Sequence, residues 1–448
     1  MASTYLTRTV ATTGDRTKAT LSVWVKKCSN AEQFIFYNYE SNTTNFRIRF
    51  NPEALQVETL SGSSVVGTLT TTRKFRDVGA FYHIVVAIDS TLATADDRMK
   101  IYVNGVQETA FDARTNPPQN QNMAFNESGH IQYIGSQVTS NYFNGIMSYY
   151  YWIDGIAYPA STFGSTDSTT GEWEINTSPS VTMGTNGFTI LKDGNTITDQ
   201  SSNSNNFTLG GGTLTNTEDC PNNVFATMNR ASPTTAAYTN MANGNLYNGD
   251  QSPNYWNSIP GTLSASSGKF YWEFKIEQVW GNTSQISQRH GIANLNVQVN
   301  QKVGSTGDVA WTDDPIAVGW QNTSGVRYSN SVTGTSDYPT YVVNDILMFA
   351  MDLDNLKLYL GKNGTWQNSG NPTSGASGTG AYTIPVAGIW TPYSETKYGS
   401  DKVSWNCGNG HFRTTAISSA GTAASTPGIF EYDVPTSYQP MSTKGLNT

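Results

Sequence analysis

Gly268-Lys-Phe-Tyr-Trp-Glu-Phe-Lys-Ile-Glu277 sets Phe270, Trp272, Phe274 and Ile276 at every second position, opposed by Lys269, Glu273, Lys275 and Glu277. Successive side chains of a strand point to opposite faces, so this spacing predicts a strand with one buried and one solvated face. Asn45-Phe-Arg-Ile-Arg-Phe50 repeats the pattern, with Phe46, Ile48 and Phe50 opposed by Arg47 and Arg49. Ile84-Val-Val-Ala-Ile88 and Ile346-Leu-Met-Phe-Ala-Met351 are apolar on both faces and read as central strands. Asn104-Gly105 and Asn363-Gly364 fall where tight hairpins need them. No amphipathic stretch long enough for a helix interrupts the series, so the expected class is all-β.

Composition agrees. Charged residues are only 13% of the 448, whereas 11 Trp, 24 Tyr and 18 Phe supply the apolar surface a disordered chain lacks. The net charge of −8 comes without clustered Lys or Arg, which argues against nucleic acid as a partner. Cys28, Cys220 and Cys407 are far apart and odd in number, so neither a disulfide framework nor a zinc site is expected. No run approaches the ~18 apolar residues of a membrane span. Met1-Ala-Ser-Thr-Tyr-Leu-Thr-Arg has no apolar h-region, and synthesis in a reducing cytoplasm is the expectation.

The length suits two cores. Residues 199–223 form the most polar, glycine-rich passage, which predicts domains at 1–198 and 224–448 joined by a linker at 199–223. A second Gly/Ser-rich passage, Asn368 to Tyr382, is expected as a long surface loop.

Catalytic constellations are tested and set aside. Glycoside hydrolysis needs two carboxylates, roughly 5 Å apart in retaining enzymes. Glu172/Glu174, Glu273/Glu277 and Asp352/Asp354 are the candidate pairs. The first sits by a turn without a third acid, the second shares a polar face with Lys269 and Lys275, and the third brackets a turn. His83, His130, His290 and His411 are scattered, and His83 alternates into an apolar strand as a satisfied core histidine. No catalytic residue is expected, and the protein is read as a non-enzyme.

The strand series carries a resemblance. Leu21-Ser-Val-Trp-Val-Lys26, Tyr82-His-Ile-Val-Val-Ala-Ile-Asp89, Ile101-Tyr-Val-Asn-Gly-Val106, Tyr133-Ile-Gly135 and Phe143-Asn-Gly-Ile-Met147 together resemble the laminin-G-like and pentraxin-like concanavalin A-like jelly rolls. Gly268 to Phe274, Ile316-Ala-Val-Gly-Trp320, Asp345 to Gly364, Ile384-Pro-Val-Ala-Gly388 and Val403-Ser-Trp-Asn-Cys-Gly408 resemble the SPRY branch of that fold. The tandem, with Tyr5-Leu-Thr-Arg-Thr-Val, Ile153-Asp-Gly and Val434-Pro-Thr-Ser-Tyr-Gln-Pro-Met-Ser-Thr443, resembles a lectin-like virion protein family of tailed bacteriophages.

That resemblance implies two antiparallel β-sandwich domains in tandem and a structural protein of the virion surface, on a head fibre, capsid decoration or tail appendage. Its implied partners are other virion structural proteins, further copies of itself and a host cell-surface glycan. Nucleic acid and membrane insertion are not among them. Two alternatives stay open: a capsular polysaccharide depolymerase, and a structural module without ligand. Calcium is often bound at one rim of such domains, and Asp89, Asp96, Asp97 and Asp112 are loop-proximal, but their spacing matches no ligand pattern and no cofactor is expected. SPRY-like domains recognise partners through loops at one rim. Tyr328, Tyr338, Tyr341, Trp366, Tyr393 and Trp256 are therefore the candidate ligand-binding aromatics.

Overall fold

The computed structural model describes residues 3–192, 196–230, 239–251, 257–280, 287–295, 317–322, 327–329, 332–333, 338–422 and 426–447. Contacts divide the chain into two compact units, Met1–Asn216 and Thr217–Thr448.

The first unit is a sandwich of antiparallel strands. Its larger sheet has eight, in the order β10 (Phe111–Thr115), β6 (Ser64–Lys74), β5 (Ala54–Ser61), β4 (Asn45–Asn51), β3 (Gln33–Tyr39), β11 (Ile131–Ile134), β1 (Tyr5–Thr9) and β16 (Thr208–Gly211). The smaller runs β15 (Phe188–Ile190), β12 (Gly145–Asp154), β2 (Lys18–Lys27), β7 (Phe81–Asp89), β8 (Met99–Val103) and β9 (Val106–Gln107). β13 (Gly164–Thr166) and β14 (Trp173–Ile175) form a separate hairpin. The inward faces meet in one core that includes Leu21, Val23, Phe46, Ile48, Phe50, Ile84, Val86 and Trp152.

The second unit repeats the plan. One sheet runs β17 (Thr239–Ala242), β18 (Tyr247–Gln251), β30 (Lys402–Asn406), β20 (Lys269–Gln278), β25 (Ile346–Asp352), β26 (Lys357–Lys362) and β27 (Thr365–Trp366), with β28 (Tyr382–Thr383) and β33 (Gln439–Pro440) on β26 and β20. The other runs β19 (Asn257–Pro260), β29 (Trp390–Thr396), β21 (Gln288–Asn294), β22 (Ala317–Gln321), β23 (Arg327–Ser329) and β24 (Val332–Thr333). β31 (His411–Phe412) and β32 (Thr415–Ala416) close a small hairpin. Phe270, Trp272, Phe274 and Ile276 all point into the core, as their spacing predicts. Full burial of such side chains contributes about 1.5–3 kcal/mol each.

Both Asn-Gly pairs make the expected hairpins. Asn104 and Gly105 have φ of 47° and 79°, Asn363 and Gly364 of 51° and 81°, values an Asn-Gly pair adopts with little strain. In each unit the Asn Oδ1 also accepts a backbone N–H from the neighbouring strand, His83 in one case and Ile346 in the other, both at 2.8 Å.

The polar passage 199–223 contains the boundary between the two units, which falls at Asn216/Thr217, and its earlier part is built into the first. Asp199 is buried and organises the passage: Oδ1 accepts the N–H groups of Thr189 and Ser201, and Oδ2 accepts Asn205 N–H and Ser201 Oγ–H. Phe207 then enters the core beside Phe188, and β16 joins the sheet against β1. A low-hydrophobicity stretch is ordered because one carboxylate meets its backbone donors. Asn368–Tyr382 does contain short helical turns, at Gln367–Ser369 and Pro372–Ser377.

Outer faces are largely covered by chain. Phe163 and Trp173 close over Val85, Tyr151 and Ile153 of the first unit's six-stranded sheet. Phe430, Val434 and Tyr438 lie over Tyr271, Met348, Ala350 and Tyr359 of the nine-stranded sheet. β21, β22 and β29 are buried along their whole lengths.

Asp199→Ala leaves three backbone N–H groups, of Thr189, Ser201 and Asn205, without this acceptor and should lower the stability of the first unit by about 3 kcal/mol, read as a shift in the urea midpoint. A change under about 0.5 kcal/mol would show that the passage is not organised by this carboxylate.

Candidate functional site

Of the six candidate ligand-binding aromatics, Tyr338, Tyr341, Trp366 and Tyr393 are not gathered on one exposed rim. Tyr338 and Tyr341 are buried around Trp320, whose Nε1–H donates to Pro339 O at 2.8 Å, while Tyr341 Oη–H donates to Gln288 O at 3.1 Å. They anchor their loop to the core. Tyr393 lies within β29, buried, its hydroxyl donating to Glu395 at 3.1 Å. Trp366 is half-buried, edge-on to Tyr271 in a different cluster. Tyr328 lies in β23, opposite Gly319 and Thr333, and Trp256 falls outside the described residues. Loop aromatics of this kind are used to pin chain to core, which their position between strands does not reveal.

The carboxylate pairs separate by role. Glu172 and Glu174 are exposed on the β13–β14 hairpin. Asp352 caps its turn through Asn355 N–H and is paired with Lys269 at 3.1 Å, and Asp354 accepts Gly268 N–H at 2.7 Å. Glu273 departs from expectation: it is fully buried rather than solvated, because the segment carrying Phe430 covers that face. Its Oε1 accepts Tyr271 Oη–H and Tyr432 N–H, and its Oε2 accepts Glu431 N–H and Asn406 Nδ2–H. Removal from water outweighs these donors and pushes its carboxyl up to about 7.

Two Ser–His contacts that the sequence does not reveal are present, and both are sealed. His83 lies between the rings of Trp24 and Trp173, and burial holds it down at about 3. Trp173 Nε1–H occupies His83 Nδ1, so the single imidazole proton is on Nε2 and is given to Ser22 Oγ at 2.9 Å. That polarity is wrong for activating the serine. His290 gives its Nε2 proton to Gln288 Oε1 and accepts from Ser394 at 2.9 Å, but both residues are fully buried.

The calcium candidates are committed to basic partners: Asp89 to Lys18, Asp96 to Arg114, Asp97 to Lys100 and Asp112 to Lys74, at 2.9–3.3 Å. Among the described residues no three His, Cys, Asp or Glu side chains gather as a metal would require.

The outer face of the eight-stranded sheet is different. Cross-strand neighbours build a row over six strands, Thr7–Tyr133–Tyr37–Arg47–Glu58–Thr68. A second row, Phe34–Arg49–Gln56–Thr70, runs beside it, and Tyr39 opposes Ile131 on the other flank. Tyr5, Tyr39, Tyr133 and Tyr142 lie in ring contact around the aromatic end. The loop Ser136–Tyr142 walls that end, with Val138 packed on the rings and Asn141 O accepting Phe34 N–H. The charged end is ordered by two ion pairs, Arg47 with Glu58 and Arg49 with Glu32, and Arg49 Nε–H also donates to Gln56 Oε1 at 2.8 Å. Tyr5, Tyr39, Arg47, Arg49, Gln56 and Thr70 are all half-buried, a recessed platform of ring faces and planar polar groups. Arg47 and Arg49 were predicted to face away from the core; the tyrosines beside them were not.

Comparison with known proteins agrees with this fold. The family model Laminin_G_3, concanavalin A-like lectin/glucanases superfamily, matches residues 2–155, which carry most of the platform. The first unit is a concanavalin A-like lectin/glucanase-type domain. Similar solved structures include the SPRY domain of human HERC1, 13% identical over 36% of this chain and 87% of that one, with a TM-score of 0.27. A SAP-like pentraxin from Limulus polyphemus is 14% identical over 35% and 71%, with a TM-score of 0.27. Domain 4 of AbnA, an extracellular arabinanase of Geobacillus stearothermophilus, is 14% identical over 33% and 65%, with a TM-score of 0.26. No curated protein matches the chain.

Glu273 also makes stability depend on pH. Between its ordinary value of 4.5 and about 7 the folded chain keeps a proton that the unfolded chain has released. Stability of the second unit should therefore fall as pH rises through that window, by on the order of 3 kcal/mol, and be level in this respect on either side. Urea titrations of the full chain at pH 4.5, 5.5, 6.5 and 7.5 measure it, and Glu273→Gln should remove the slope.

Proposed function

We propose that this chain is a non-catalytic binding protein of the virion surface, and that the first unit takes a carbohydrate on the outer face of its eight-stranded sheet. The observation that carries the reading is the half-buried surface of Tyr5, Tyr39, Arg47, Arg49, Gln56 and Thr70, where tyrosine rings continue into planar polar side chains. Sugar rings have apolar faces and hydroxyl edges, so aromatic faces beside planar donors and acceptors are the groups that recognise them. The absence of turnover is supported by the commitment of the platform's carboxylates, Glu58 and Glu32, to arginines and by the burial of both Ser–His contacts. Placement on the virion, with other virion proteins and further copies of the chain as partners, is supported by the tandem resemblance alone.

Glycan-array binding by the full chain tests the sugar reading. Tyr39→Ala and Arg49→Gln should each weaken binding of the best array hit about 5- to 10-fold with the fold retained, read from far-UV circular dichroism. Undiminished binding by both would move the site elsewhere, and silence across the array would remove the carbohydrate. Mass spectrometry of purified particles should find many copies of the chain; its absence would overturn the virion placement.

A further inference from the structure

We infer that the platform's ligand is an uncharged, extended oligosaccharide lying across the strands and filling at least four positions, and this rests on the carbohydrate reading above. Length comes from the sheet. The row of half-buried side chains runs from Tyr5 on β1 to Thr70 on β6, across β11, β3, β4 and β5, five inter-strand steps of about 4.8 Å, or roughly 24 Å in all. One unit of an extended glycan advances by about one such step, so consecutive sugars meet consecutive strands and a single sugar meets only one or two. The row also changes character along its length. The half-buried rings of Tyr5 and Tyr39 at one end call for a sugar face, and Arg47, Arg49 and Gln56 at the other call for hydroxyl edges. A single ring cannot use both ends.

Neutrality comes from the charges. The two guanidinium groups of the platform are each matched by a carboxylate, Arg47 by Glu58 and Arg49 by Glu32. Arg47 commits Nε–H to Glu58 at 2.7 Å, and Arg49 commits Nε–H to Gln56. A uronate or sulfate approaching either arginine meets a carboxylate already there and must displace it. A hydroxyl is donor and acceptor at once, and takes a remaining arginine N–H and a carboxylate lone pair without displacing anything. The paired arrangement therefore favours hydroxyls over anions, although the arginines alone would suggest the reverse.

The test is isothermal titration of the full chain with gluco-, manno- and galacto-oligosaccharides of one to eight units, and with oligogalacturonates of the same lengths. Affinity in at least one neutral series should rise at least about 30-fold from monomer to tetramer or pentamer and then level off. Uronates of equal length should bind at least about tenfold more weakly. Glu32→Gln, at a partly exposed position, unpairs Arg49 and should raise uronate affinity relative to that of the neutral sugar of equal length at least about tenfold. A monosaccharide binding as tightly as a tetramer would overturn the extended site. Tight, salt-sensitive uronate binding by the unaltered chain would overturn neutrality. Either result leaves the carbohydrate reading standing, whereas silence with every sugar would remove that reading and the inference with it.

Discussion

A sandwich of two sheets has four faces and its core consumes two, so what happens to the other two decides how the molecule meets its surroundings. Strands wet on one face show period-two polarity, and strands covered on both become continuously apolar. In this chain most outer faces are roofed: by the segment carrying Phe163 and Trp173 in the first unit, and by the segment carrying Phe430 and Tyr438 in the second. The eight-stranded sheet keeps an alternating, half-buried outer face along β4, continued by Gln56 on β5. The Tyr–Arg–Glu platform is that face, and its chemistry follows from which residues the register sets side by side.

The same constraint separates what the sequence tells from what it hides. Phe270, Trp272, Phe274 and Ile276 announce an inward face because the spacing is local, and Asn104-Gly105 announces its hairpin for the same reason. Glu273 is read as solvated beside Lys269 and Lys275, yet its partners Glu431 and Tyr432 lie about 160 residues further on. No local pattern encodes a roof that arrives from so far away. Asp199 misleads in the opposite sense: its neighbours look like linker, and only the convergence of Thr189, Ser201 and Asn205 on one carboxylate orders them.

The platform was half legible. Arg47 and Arg49 are set outward by plain alternation. Gln33-Phe-Ile-Phe-Tyr-Asn-Tyr39 has no such phase, because a bulge between Phe34 and Phe36 changes which residues face out. The bulge turns Tyr37 and Tyr39 to the outer face beside Tyr133, and nothing in a run of aromatics marks where the phase slips. Tyr338, Tyr341 and Tyr393 fail as rim residues for a related reason. An aromatic outside an alternating pattern can pin a loop or greet a partner, and only its contacts distinguish the two.

The roof over the nine-stranded sheet bears on the order in which the molecule is made. β1 of the first unit finds its edge partner β16 by residue 211, so that unit has all its strands while the second is still being translated. β20, by contrast, emerges with Tyr271 and Glu273 facing outward and waits for residues beyond 430 before that face is closed. During that interval a ribosome-bound chain displays an aromatic sheet face with a carboxylate in its middle. A carboxylate set in that face stays hydrated until Glu431 and Tyr432 supply their amide donors and shut water out.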